Sequence, residues 1–182
     1  MIINEKSLIA NVKKAYKDSG YRVVCKDRGG EEWISIIGNT FIANMTVASL
    51  PRKVLGLIAE HAGRLPEKDT CLKLSKDDVQ TAMIDSVPTI QELFDDNSHK
   101  ETVPTNLTWK GHEVWQCPEI KRCFLLNPEL RNMITLNGKC VQKTDGRSVV
   151  VYDSVSEIYI LNTSEDEDDA HVLRHLEKWS WN

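Results

Sequence analysis

Residues 21–47 read YRVVCKDRGGEEWISIIGNTFIANMTV, and this stretch alternates three largely apolar runs with two groups of turn residues. The runs YRVVCK, EEWISII and TFIANMTV are rich in the β-branched and aromatic residues that strands prefer. The intervening DRGG and GN contain the glycine and asparagine that tight hairpin turns favour. The stretch therefore predicts a meander of three antiparallel strands.

A helix is predicted on each side of this meander. Asn4–Ser19 begins with a capping residue, and Gly20 follows where a helix-terminating glycine belongs. Residues 49–66, SLPRKVLGLIAEHAGRLP, begin with a second capping candidate, Ser49, and stop at Gly63. The apolar stripe of this second helix consists of Val54, Leu55, Ile58 and Ala62.

The rest of the chain is predicted to be rich in strands. Two strands at 70–75 and 79–84 and a short helix at 89–94 are expected to follow the second helix. Residues 95–105 contain one apolar residue, Val103, and are predicted to form a linker. Beyond it, hairpin turns are predicted at Lys110-Gly111, Asn137-Gly138 and Asp145-Gly146, then a strand at 156–161 and a helix from about Asp169 to Trp179.

The predicted fold class is α+β. An N-terminal helix, an antiparallel meander and a second helix are followed by a β-rich half that a C-terminal helix closes. This pattern predicts two domains, 1–96 and 97–182, with one continuous domain as the alternative.

Composition narrows the class of protein. The chain has 182 residues, of which 41% are hydrophobic, and this is enough to form a core without disulfides or a metal. No apolar run approaches the roughly 18 residues of a membrane span, and the N-terminus does not resemble a signal peptide. The five cysteines are odd in number and scattered, which argues against a disulfide framework and favours reduced thiols. We therefore expect a cytoplasmic protein without a membrane segment.

Charge is distributed unevenly along the chain. Residues 1–56 contain nine Lys/Arg and five Asp/Glu, whereas the remaining residues carry a balance of −8. Basic residues lie on the polar face of the first helix, at the start of the second helix and in the strand between them. They are predicted to bind nucleic acid or a partner, with an ordinary solvated helix face as the alternative. These residues are Lys13, Lys14, Lys17, Arg22, Arg52 and Lys53.

Five consecutive carboxylates, Glu165 to Asp169, precede the final predicted helix. Calcium loops alternate ligands with spacers and place a glycine at the sharp turn, and this run has neither feature. Carboxylates are favourable at a helix N-terminus, so a helix start is the leading interpretation. The second interpretation is that these carboxylates mimic phosphates and bind a basic groove on a partner. The candidate partner-binding residues of the tail are Glu165, Asp166, Glu167 and Trp181.

Sequence motifs for a metal site or a catalytic site are incomplete or absent. His171 and His175 have chelating i, i+4 spacing, but the glutamate of the metalloprotease motif is absent. His112, Cys117, Cys123 and Cys140 lack the short spacing of most structural zinc sites. No nucleophile elbow or glycine-rich phosphate loop occurs. We expect a protein that is not an enzyme and that has no metal or cofactor.

Two sequence patterns carry a family resemblance. The first helix ends in A-Y-x-x-x-G-Y, here Ala15, Tyr16, Gly20 and Tyr21, and Leu50–Glu67 follows the pattern LPRKxLxLIxEHxGxxPE. Over about the first 70 residues the chain resembles small proteins carried by phages and mobile elements of Firmicutes. Some proteins of that class are anti-CRISPR inhibitors of type II RNA-guided DNA nucleases. The resemblance implies a protein partner, a CRISPR effector nuclease, and no catalytic residues. The alternative is an accessory protein that binds duplex DNA through the basic N-terminal residues.

Overall fold

The computed structural model describes residues 1–82, 100–136, 141–144, 147–162 and 166–179. The helices are α1 (Glu5–Asp18), α2 (Arg52–Ala62), α3 (Pro128–Arg131) and α4 (Glu167–Leu176), with a 3-10 turn at Val47–Ser49. The strands are β1 (Tyr21–Arg28), β2 (Glu31–Ile37), β3 (Phe41–Thr46), β4 (Thr70–Leu74), β5 (Val79–Ala82), β6 (Lys100–Glu101), β7 (Val103–Trp109), β8 (His112–Cys117), β9 (Arg122–Leu126), β10 (Val141–Thr144), β11 (Ser148–Tyr152) and β12 (Ser156–Leu161).

The strands form two antiparallel sheets. The larger has nine strands in the order β5-β4-β1-β2-β3-β12-β11-β10-β6, and the smaller has the order β7-β8-β9. The predicted meander is confirmed, because β1, β2 and β3 are consecutive neighbours. The α+β class is confirmed as well.

Local signals place α1 as predicted. The Asn4 side chain accepts a hydrogen bond from the backbone N–H of Ser7, and Leu8 and Val12 are buried. At the other end, the N–H of Gly20 donates to the carbonyl of Ala15. Gly20 has φ +81°, and a Cβ there would lie 2.8 Å from the carbonyl oxygen of Leu74. Glycine is therefore needed both for the turn and for the close approach of β4.

The predicted Ser49 cap of α2 is wrong. Ser49 ends the preceding 3-10 turn, and Pro51 occupies the N-cap position without a side-chain hydrogen bond. The proline ring disfavours helical geometry in the residue before it, so the helix cannot extend back through Leu50. The end is as predicted, because Gly63 adopts the left-handed conformation with φ +69°.

The hairpin predicted at Lys110-Gly111 is confirmed, since both residues have positive φ, +49° and +81°, between β7 and β8. The turns at Asn137-Gly138 and Asp145-Gly146 and the short helix at 89–94 lie outside the described residues.

The linker prediction is wrong for residues 100–105, whereas 95–99 lie outside the described residues. Residues 100–105 contribute to β6 and β7, and Thr102 and Thr105 are buried. Their hydroxyls donate to the carbonyls of Gln116 and Val114 of β8, at 2.9 and 2.8 Å. These threonines are therefore buried without an unsatisfied hydroxyl, because β8 supplies the acceptors.

The large sheet joins strands from both sides of the predicted boundary between residues 96 and 97. β3 pairs with β12 over five residues, from Ser156 opposite Met45 to Ile160 opposite Phe41. One core cluster contains Val23 and Ile36 together with Trp115 and Ile158. This arrangement supports the single-domain alternative, and the division into two domains stays a prediction with a direct test.

In the described part of the chain, no helix combines the length and the apolar character needed to cross a membrane.

Candidate binding interface

Helices α1 and α2 lie together on one face of the large sheet. Val12 of α1 and Ile58 of α2 share a core cluster with Val23 and Leu72 of the sheet. Where the helices meet, the Tyr16 ring stacks on the His61 ring with centroids 3.7 Å apart and planes 7° apart. We call this pair of helices the helix layer.

A hydrogen bond ties the helix layer to β1. The Tyr21 hydroxyl lies 2.8 Å from Nδ1 of His61. Burial lowers the pKa of His61 despite the opposing charge of Glu60, and burial raises the pKa of Tyr21. At neutral pH the ring is therefore neutral, and the bond joins two uncharged groups. The scaffold that carries the basic residues is thus packed and hydrogen-bonded.

Four of the predicted binding residues are exposed cations of the helix layer. They are Lys13, Lys17, Arg52 and Lys53, and we call this set the basic helix surface. Within the described residues, none of the four lies within ion-pair distance of a carboxylate. Their charges are therefore available to an anionic partner.

Lys14 is engaged elsewhere. Its Nζ lies 2.6 Å from Oε2 of Glu129 in α3, and this hydrogen bond raises the pKa of Lys14. Both side chains are well exposed, so the pair contributes little stability. It nevertheless compensates the charge of Lys14, which distinguishes this residue from Lys13 and Lys17.

Arg22 lies on the opposite face of the sheet. Side chains alternate along a strand, and Tyr21 and Val23 point into the core beneath the helix layer. Arg22 therefore points outward, beside Lys73 of β4 and Ile37 of β2. The six predicted binding residues therefore do not share one face, because Arg22 does not join the helix cations.

The acid run starts α4, two residues earlier than predicted. Asp166 is the N-cap and accepts from the backbone N–H of Asp169 at 2.8 Å, and Asp169 accepts in return from the N–H of Asp166. This is a capping box with aspartate in both positions.

Sequence reasoning missed the partners of this capping box. Trp109 Nε1 donates to Asp169 at 2.9 Å, and Lys110 Nζ lies 2.9 Å from both Asp166 and Asp169. The Lys110 and Trp109 donors lower the pKa of Asp169 to about 2. The signal in the sequence is a Trp-Lys pair at the start of a hairpin turn, but nothing local connects it to a helix about 60 residues later.

The acidic helix start lies apart from the basic helix surface. Helix α4 packs on the three-stranded sheet, where Leu173 contacts a cluster with Val114 and Leu125. Asp166 is tied to Lys110, whereas Glu167 is exposed. Glu165 and Trp181 lie outside the described residues. The structure therefore separates the two predicted binding regions.

The cysteines are placed as structural thiols. Cys25, Cys71, Cys117 and Cys123 are free and buried, and Cys140 lies outside the described residues. Burial raises the pKa of Cys25 and Cys71, and it raises that of Cys123 to about 11. These three thiols stay protonated at neutral pH and are poor nucleophiles.

The histidines of α4, His171 and His175, are both exposed. Over the described residues, no three His, Cys, Asp or Glu side chains come close enough to hold a metal ion.

No protein-family model matches this chain, and no match is found among curated proteins. Among solved structures it is similar to the Helicobacter pylori beta clamp in complex with 5-chloroisatin, with a TM-score of 0.41 and 11% identity over 94% of this chain and 66% of that one. The same clamp with diflunisal gives a TM-score of 0.42 and 10% identity over 94% and 66%. With 3,4-difluorobenzamide it gives 0.40 and 12% over 95% and 68%. This chain thus spans about two thirds of the clamp chains.

Replacing Asp169 by asparagine is expected to lower the Tm at neutral pH by several degrees, because it removes the charge that accepts from Trp109 and Lys110. The pKa of Asp169 is depressed in the folded state, so its contribution is present above the unfolded pKa of about 4. The difference from wild type should therefore shrink as the pH falls from about 4 toward about 2.

The matched control is Asp168→Asn, which removes an exposed charge from the same helical turn. Thermal unfolding monitored by circular dichroism should show little change for this control at any pH. Equal losses for both variants would mean that only the helix macrodipole is involved, and that the bonds to Trp109 and Lys110 contribute nothing.

Proposed function

We propose that this chain is a non-enzymatic protein that binds and blocks a host RNA-guided DNA nuclease in the cytoplasm. The observation that carries the proposal is the basic helix surface: four exposed cations without intramolecular partners in the described residues, held on two packed helices. Rigid presentation lowers the entropic cost of forming a specific interface.

Some of the residues that carry the family resemblance hold together the two helices that present this surface. Tyr16 and Tyr21 belong to the first pattern and His61 to the second, and these three side chains meet between α1, α2 and β1. Residues of both sequence patterns therefore form the contacts that join α1, α2 and β1. Proteins of this family are expected to share the scaffold that presents the cations.

The positive charge of the basic helix surface determines which partner it can bind. Lysine and arginine side chains favour a partner face of negative potential. In a guide-loaded nuclease, such potential is carried by the phosphates of the guide RNA. A protein bound there excludes target DNA without performing chemistry.

The same observation favours a second candidate, an accessory protein that binds duplex DNA directly. Four cations on two adjacent helices are enough to contact several phosphates, and such binding needs no protein partner. The two candidates differ in what they bind when nuclease and DNA are offered separately.

Gel filtration separates the candidates. The protein is mixed with guide-free nuclease, with guide-loaded nuclease, or with duplex DNA alone, at two salt concentrations. We expect co-elution with the nuclease at a fixed ratio that survives the higher salt. If the protein instead co-elutes with duplex DNA alone, and with neither form of the nuclease, the second candidate function is supported.

A further inference from the structure

Two cations lie side by side on the outer face of the large sheet. Arg22 of β1 and Lys73 of β4 are direct partners across the antiparallel pair, and both are exposed. Like charges placed directly opposite each other destabilise a sheet. The pair therefore costs stability unless something of opposite charge sits between the two groups.

No such group is found within the described residues. Neither Arg22 nor Lys73 has a carboxylate within ion-pair distance there, although Lys14, Arg28 and Lys68 all have one. Arg22 is not held by its other neighbour either, because Ile37 is apolar.

The two cations border a concave site. A cavity of about 330 Å³ is lined by Arg22 and Lys73 together with the end of α1 and the β2–β3 turn. The turn and the helix end contribute Asn39 and Ser19, and Asn39 Nδ2 donates to Ser19 Oγ at 2.7 Å. This leaves the Ser19 hydroxyl proton and the second Asn39 N–H as neutral donors beside the cations.

We propose that this notch binds a phosphate group. A guanidinium presents two parallel N–H donors to two oxygens, and an ammonium and a hydroxyl serve a third. The phosphate belongs either to a free nucleotide or to the backbone of a nucleic acid. Its two cations lie on the outer face of the sheet, beside the end of α1, and neither belongs to the basic helix surface, so the site does not depend on the function proposed above.

The test compares Tm in phosphate and in chloride at equal ionic strength. Phosphate also stabilises folded proteins in general, by exclusion from their surface, and all variants share that gain. Wild type should gain Tm beyond it, because a ligand that binds the folded state stabilises it by mass action. Arg22→Gln and Lys73→Gln should each lose most of this additional gain. In chloride neither variant should be less stable than wild type, since each relieves the repulsion. The matched control, Lys6→Gln, removes an exposed charge from the N-terminal end of α1 and should keep the full gain.

The same proteins are then titrated with a mononucleotide and with a short single-stranded DNA, each expected to bind at least about tenfold more weakly to Arg22→Gln. A nucleotide that binds more tightly than inorganic phosphate identifies a free nucleotide as the ligand. DNA that binds while the nucleotide matches phosphate identifies the backbone. A phosphate gain as large in both glutamine variants as in wild type, or one that Lys6→Gln also loses, would overturn the site. A second readout, the ¹⁵N shift of the Arg22 guanidinium on addition of phosphate, should move only if the notch is occupied.

Discussion

Replacing Ile158 by alanine is expected to destabilise the entire described sheet by about 2–5 kcal/mol, the usual cost of truncating a fully buried isoleucine. Ile158 has no exposed surface and lies in β12 opposite Ala43 of β3. It belongs to the core cluster that also contains Leu8 and Val54. Because that cluster spans the boundary predicted at residue 96, the loss should move one cooperative transition in urea, with the same midpoint by fluorescence and by circular dichroism.

The control for this prediction is Leu161→Ala in the same strand, since Leu161 is 37% exposed. It should move the midpoint far less. Two separate transitions, of which Ile158→Ala moves only one, would show instead that 1–96 and 97–182 fold independently. Limited proteolysis gives a second check: cuts concentrated at 95–99 that release two stable fragments would support the same conclusion.

Replacing Lys13, Lys17, Arg52 and Lys53 together by alanine should weaken binding to an anionic partner by about tenfold or more at low salt. Each phosphate contact that is lost should also flatten the dependence of log K on log salt by about 0.9. Fluorescence anisotropy with labelled duplex DNA, and with the guide-loaded nuclease, measures both quantities. The fold should be unaffected because all four side chains are exposed.

The control removes cations that already have partners. Lys14, Lys68 and Lys100 are paired with Glu129, Asp27 and Glu119 respectively, and their alanine variants should bind nearly as wild type does. If wild type fails to bind DNA at low salt and the fourfold variant still binds the nuclease normally, the basic helix surface is only a solvated helix face.

The features that sequence predicted well depend on residues close together in the chain. The Asn4 cap, the Gly20 and Gly63 helix ends and the Lys110-Gly111 turn each involve hydrogen bonds or dihedral angles within about five residues. Capping and turn chemistry act over that range, so local patterns are sufficient to predict them.

The features that sequence failed to predict join distant residues. Lys14 meets Glu129, Arg22 meets Lys73, and Trp109 meets Asp169 only because strands and helices from separate parts of the chain come together. A charged residue looks the same in sequence whether it is free or paired. The predicted set of basic binding residues therefore included both Lys14, which is paired with Glu129, and Arg22, which faces away from the helices.

The linker prediction failed for a related reason. Few apolar residues in 95–105 indicated an exposed connection. Thr102 and Thr105 are nevertheless buried, because strand β8 supplies carbonyl acceptors to their hydroxyls. Polarity predicts exposure only when no distant partner satisfies the polar group.

The proposed inhibition of an RNA-guided nuclease can be measured directly as single-turnover cleavage of a target duplex. A fixed amount of guide-loaded type II nuclease is titrated with wild type and with the fourfold alanine variant, and the cleaved fraction is measured. We predict that wild type abolishes cleavage near a defined molar ratio to the nuclease, independent of the DNA concentration, and that the variant requires at least about tenfold more protein. Undiminished cleavage in the presence of a large excess of wild type would contradict the proposed inhibition.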